Sequence, residues 1–171
     1  MEINYVISIE EVLYGALLLA LTMIIHGTGM MLTLRAAGGM KLALQRLDSP
    51  SVGLVVIVLA SVMIIFTNLI EVMLWTWFFM IHHAQPNHSM AFYNALLNYT
   101  TLQAGYLPRR WHLLEPLLAM AGLLTMAWST GVLFMLAQQF QDEQMQRLQR
   151  RRELRHGKLA AEHPATAPEK R

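Results

Sequence analysis

Between Val12 and Leu34 the chain runs without a single charged residue. A helix rises about 1.5 Å per residue, so this run alone can cross the ~30 Å hydrocarbon core of a bilayer. Two further runs share the property. One extends from about Val52 to Ile81 with Glu71 as its only charge, and the other from about His112 to Phe140 with Glu115 near its start. Ordinary soluble domains carry about 25% charged residues, whereas this chain carries 14% and is 55% hydrophobic. The expected fold class is therefore an all-α integral membrane protein with three transmembrane helices. Ser8 and Glu11 have capping-box spacing at the first span, and Ser49-Pro50 suits the start of the second. Met1-Glu2-Ile3-Asn4 lacks the positive region of a cleaved signal peptide, so the first span is expected to be retained.

Basic residues give the orientation. Of thirteen Lys and Arg residues, eight lie beyond Gln141, and Arg35, Lys41 and Arg46 flank the first connection. By the positive-inside rule these segments belong in the cytoplasm, which leaves the N-terminus and the 82–111 connection outside. Membrane lipids account for the basic tail, and no nucleic-acid partner is needed to explain it. Trp75, Trp77 and Trp111 are expected at the outer interface, where indole rings prefer to sit. The 141–155 stretch reads as a solvated helix, because Met145 and Leu148 make too thin a seam for a coiled coil. From Glu162 onward the small, polar, Pro-containing composition predicts disorder.

The segment between the second and third spans is the least like a simple connection. Phe92 to Thr101 has helical character and leads through Thr100-Thr101 into the small-residue stretch Leu102-Gln103-Ala104-Gly105. A short helix and an extended segment that dip into a bilayer must line a cavity, because their backbone cannot be satisfied by lipid. A half-helix whose C-terminal end points inward presents the negative end of its dipole and favours a cation there.

Tyr99-Thr100-Thr101-Leu102 resembles the start of the pore signature of prokaryotic two-helix potassium channels, Thr-Thr-(Val/Leu)-Gly-Tyr-Gly-Asp. The stretch from Ala119 to Phe134 resembles their inner helix, with Gly122 at the gating-hinge glycine. The likeness covers about 52–140. It implies a re-entrant pore helix and loop, a homotetramer around a shared axis, and transport of K or Na as the permeant cation. It further implies an ion path lined by Thr100, Thr101, Leu102, Gln103, Ala104 and Gly105, and placement in a bacterial inner membrane. Three regions follow: an N-terminal span and loop (1–51), a pore module (52–140) and a basic cytoplasmic tail (141–171).

Where the family reads Gly-Tyr-Gly, this chain reads Gln103-Ala104-Gly105. Successive filter carbonyls face the ion because glycines adopt positive φ, and a side chain there meets a steric cost of about 1–2 kcal/mol. The expected function is a potassium-channel-like cation channel with an altered, less selective filter. The alternative is a non-conducting structural or regulatory membrane subunit that keeps the fold, with a further membrane protein as its partner.

Glu71, Asn68 and His26 are polar groups inside apolar spans. Insertion of a carboxylate costs about 2.5–3.5 kcal/mol, so Glu71 either couples to an ion path or is hydrogen-bonded behind the pore helix, against Asn98 or Tyr99. Asn68, one turn earlier, would share that seam. His26 could ligate haem or a metal or sense protons, but a buried histidine bonded to a neighbouring helix is the commoner case; Gly27 and Gly29 allow such an approach. His82, His83 and His88 read as interface residues, and Arg109-Arg110 as headgroup contacts or a vestibule ring. The thirteen methionines are scattered as gap-filling side chains rather than clustered as a copper site. With no cysteine, disulfides and thiolate metal sites are excluded. No catalytic constellation, cofactor site or metal site is expected, and Ser129 and Thr130 have no base nearby in sequence.

Overall fold

The computed structural model describes residues 7–44, 52–102 and 105–162. Four α-helices and one 3₁₀ turn follow in order: α1 (Ile9–Leu44), α2 (Val52–Ile81), α3 (His88–Tyr99), the 3₁₀ turn Arg109–Trp111, and α4 (Leu114–Glu162). Three of the helices are long and apolar enough to cross a membrane, the mark of an integral membrane protein. Among the described residues there is no strand.

α1 starts where its sequence says it should. The Ser8 hydroxyl accepts from the Glu11 N–H at 3.2 Å, while Glu11 Oε2 accepts from the Ser8 N–H at 3.3 Å, a reciprocal capping box. The helix runs further than the apolar run, however. Arg35 and Lys41, expected to flank a loop, lie within it. Helix continues past the apolar boundary because Ala36 and Ala37 favour it and the two glycines that follow meet no neighbouring atom within 4 Å. Ser49-Pro50, Arg46 and the tail beyond Glu162 lie outside the described residues.

Residues up to Leu133 form one compact unit and those from Phe134 another. In the first, Val72, Trp75 and Phe79 of α2 pack with Ala91, Ala95 and Tyr99 of α3 and Leu114, Leu118 and Ala121 of α4. The outward faces are apolar too. Leu17 and Ile24 on α1 and Leu54, Ile65 and Phe66 on α2 are exposed, which suits a lipid solvent and not water. In the second unit α4 continues as a helix in which Met145, Leu148 and Leu154 are exposed, matching the solvated helix expected there.

The tryptophans depart from expectation. Trp77 is exposed, but Trp75 is fully buried and Trp111 nearly so. Trp75 Nε1 donates to Thr22 Oγ1 at 3.0 Å, so its polar handle is satisfied inside the bundle. Trp111 packs against Tyr14, Phe78 and His82 at ring distances of 5.8, 5.4 and 5.0 Å.

Candidate functional site: a buried polar network at the tip of the short helix

α3 begins at Asn87, whose side-chain oxygen accepts from the Met90 N–H at 2.8 Å. Its buried stripe is Ala91, Asn94, Ala95, Asn98 and Tyr99, spaced so that small and amide side chains face the spanning helices. Asn98 Nδ2 donates to Asn94 Oδ1 at 2.8 Å. The helix then ends in two bonds that close on each other. The Thr101 N–H donates to the Asn98 carbonyl at 2.9 Å and the Leu102 N–H to the Leu97 carbonyl at 2.9 Å, the Schellman arrangement. That motif needs a left-handed residue just past the cap. Here it is Thr101, at φ 65. Glycine normally fills such a position, and a β-branched residue held there is strained.

The tip of α3 does not stop at the ends of its neighbours. The Tyr99 hydroxyl donates to Glu71 Oε2 at 2.6 Å, and Glu71 lies ten residues before the last residue of α2. At a rise of about 1.5 Å per residue, the contact is about 15 Å along α2 from that end. The Tyr99 hydroxyl also sits 2.6 Å from Thr125 Oγ1 on α4. Eight residues into α4, Gly122 lies against the main-chain carbonyl of Tyr99, and a Cβ at this position would collide with it. The glycine assigned as a hinge is thus the place where α3 and α4 touch, and the absence of a side chain is what permits the contact.

On its other oxygen, Glu71 meets α1. His26 Nδ1 lies 2.8 Å from Glu71 Oε1, and both side chains are fully buried. His26 Nε2 lies 3.4 Å from Ser129 Oγ on α4, and its ring is 5.5 Å from that of Trp128. The close approach of α1 to α2 is made at Gly29, where a Cβ would strike the Thr67 side chain; Gly27 faces Trp128 at ordinary contact distance. His26, Glu71, Tyr99, Thr125 and Ser129 therefore form one hydrogen-bonded chain that joins all four helices. Each of the two carboxylate oxygens has a partner, which is what a buried carboxylate requires.

Several expected residues fall into this network and others do not. Glu71 meets Tyr99, one of the two partners expected for it, and His26 bonds a neighbouring helix. Asn68 does not join the seam, since its Oδ1 is buried without a hydrogen-bond partner, as is Asn94 Nδ2. Ser129, without a base nearby in sequence, has His26 beside it in space. Thr125 was not singled out in the sequence; its spacing of three from Gly122 is the only local signal.

Beyond the tip, Thr100 is half-buried and its hydroxyl bonds back to the Leu96 and Leu97 carbonyls at 3.0 Å. Thr101, Leu102 and Gly105 are exposed, and Gly105 has φ 63. Gln103 and Ala104 lie outside the described residues. The return segment is pinned at several points. Gln85 Nε2 donates to the Tyr106 carbonyl at 3.1 Å, the Leu107 N–H donates to Glu115 Oε1 at 2.9 Å, and the Leu113 N–H donates to Glu11 Oε1 at 3.3 Å. Arg110 forms an exposed ion pair with Glu10 at 2.9 Å. His82 packs face-on against Phe78 at 4.3 Å. Among the described residues no cluster of His, Asp and Glu is arranged to hold a metal ion. Compared with protein-family models, curated proteins and solved structures, the chain matches none.

Proposed function

We propose that this chain is a potassium-channel-like cation channel with an altered, less selective filter, assembled as a homotetramer in a bacterial inner membrane with its basic tail in the cytoplasm. The observation that carries this reading is the placement of the α3 tip. A twelve-residue helix ends beside Glu71 and Gly122, within the lengths of two helices able to span a membrane. This favours a re-entrant helix over one lying flat on the interface. Its C-terminal end then carries the negative end of the helix dipole into the bilayer, where a cation would be stabilised. Exposed backbone at Thr101, Leu102 and Gly105 would be costly against lipid and suits a water-filled axis shared with other copies. Strain at Thr101 adds support, because left-handed β-branched residues persist where a site demands them.

In this reading Thr100, Thr101, Leu102, Gln103, Ala104 and Gly105 line the narrow path, and K or Na is the permeant ion. The non-conducting subunit is favoured by one specific feature: Gln103 stands where the resembled signature has glycine. Reconstitution into liposomes separates the two. Cation flux that changes with substitution at Gln103 supports the channel, and no flux from a verified tetramer supports the subunit. In a conducting protein, Gln103→Gly with Ala104→Tyr is expected to raise selectivity for K over Na; unchanged selectivity counts against the alignment at Thr101.

A further inference from the structure

The buried chain Ser129–His26–Glu71–Tyr99–Thr125 contains more titratable groups than a packing role needs. Glu71 is the only charged residue of α2, and α3 presents no charged side chain to the pair. From α1 the pair is faced by His26 itself and from α4 by Ser129, Thr125 and the Trp128 ring. The next charged residues on these helices are Arg35 on α1 and Glu115 on α4, each more than two turns along the helix. The pair therefore sets its own charge balance.

With one proton between them, His26 and Glu71 are jointly neutral, whether as imidazolium and carboxylate or as imidazole and carboxylic acid. Tyr99 then donates to Glu71 Oε2. A second proton makes the pair positive with no counter-charge in reach. It also places a donor on Oε2, so Tyr99 must turn its hydroxyl proton toward Thr125, whose own proton is directed at the Ala121 and Gly122 carbonyls. A buried uncompensated charge is expensive, and the relief open to it is water entering where Tyr99 now seals the pair. Tyr99 is the last residue of α3, directly followed by Thr100 and the strained Thr101.

We propose that His26 is a positioning residue for the Thr100–Thr101 turn, acting through Glu71 and Tyr99, and that proton uptake by the His26–Glu71 pair loosens that turn. The first span is thereby a regulatory part of the pore module. The proposal rests on the reading of Thr100–Thr101 as ion-path residues only for its consequence, a conductance that falls or rises with pH. The conformational step itself can be read without any flux.

The chain has no cysteine, so a nitroxide on Leu102→Cys, an exposed position just past the turn, reports locally. The full-length protein in phosphatidylethanolamine–phosphatidylglycerol liposomes is titrated between about pH 5 and 8. Expected is a rise in the mobile spin fraction toward acid, with the mobile-to-immobile ratio changing by up to about tenfold per pH unit for a one-proton step. The part of the tryptophan emission that Trp128→Phe removes should titrate in parallel, quenched by the imidazolium. His26→Gln should abolish both responses. Tyr99→Phe should keep the Trp128 titration and uncouple the nitroxide from it. If His26→Gln does not fold, the Tyr99→Phe comparison still decides. A nitroxide signal that is flat while Trp128 titrates, or a Trp128 signal that is flat, overturns the proposal. A protein that shows the full response but passes no ion refutes conduction and leaves the positioning role standing.

Discussion

Glu71 is the residue on which the bundle turns, because three helices use its two oxygens or the groups bonded to them. Its replacement by leucine leaves the His26 ring and the Tyr99 hydroxyl buried without an acceptor. Breaking a buried pair by removing one partner typically costs about 3–5 kcal/mol. Glu71→Leu is accordingly expected to lower the thermal midpoint in detergent far more than Glu71→Gln, which keeps an acceptor for Tyr99; equal midpoints for the two variants would deny the network a role in stability. Thr101 makes the opposite prediction. Its left-handed backbone is strained for a β-branched residue, so Thr101→Gly should stabilise by about 1 kcal/mol, seen as a higher unfolding midpoint. The same exchange should reduce conduction if the threonine hydroxyl or its strain serves the ion path.

At the scale of elements, glycines decide how closely the helices come together. Gly→Ala in a helix interior normally stabilises by about 0.5–1 kcal/mol. At Gly131, where an added methyl meets nothing within 4 Å, that ordinary gain is expected. At Gly122 the same methyl is driven into the Tyr99 carbonyl, which belongs to rigid backbone, and overpacking of this kind costs about 1–3 kcal/mol. Opposite signs for Gly131→Ala and Gly122→Ala in thermal unfolding would establish the contact between α3 and α4. A Gly122 acting purely as a hinge would instead leave stability unchanged and alter only opening. The return segment behaves as a second clamp, since Glu11 and Glu115 each accept a backbone N–H from it. Glu115→Gln leaves an acceptor in place and should be mild, whereas Glu115→Ala orphans the Leu107 N–H and should cost about 1–3 kcal/mol.

For the whole molecule, the decisive question is what surrounds the exposed turn at Thr101 and Leu102. A tetramer in lipid, measured by counting cross-linked copies or by spin–spin distances at Leu102→Cys, is the expected arrangement. A monomer would leave the turn against hydrocarbon and remove the basis for a shared path. The Arg110–Glu10 pair, by contrast, is exposed on both sides, and Arg110→Ala should change stability by less than about 1 kcal/mol.

The sequence by itself determined the membrane class, the three spanning helices, the 52–81 bounds of the second and the capping box of the first, because these depend on composition, length and contacts three residues apart. It also pointed to Glu71 and Tyr99 as partners, since a carboxylate in an apolar span has few ways to be satisfied. Only the tertiary structure decided that His26 completes that pair, that Ser129 and Thr125 extend it, and that Trp75 and Trp111 turn inward rather than toward the interface. Those partners stand dozens of residues apart in the chain and meet only because helices pack side by side. No periodicity along one helix encodes the rotation of its neighbour, and that rotation is what brings five polar side chains to a single point.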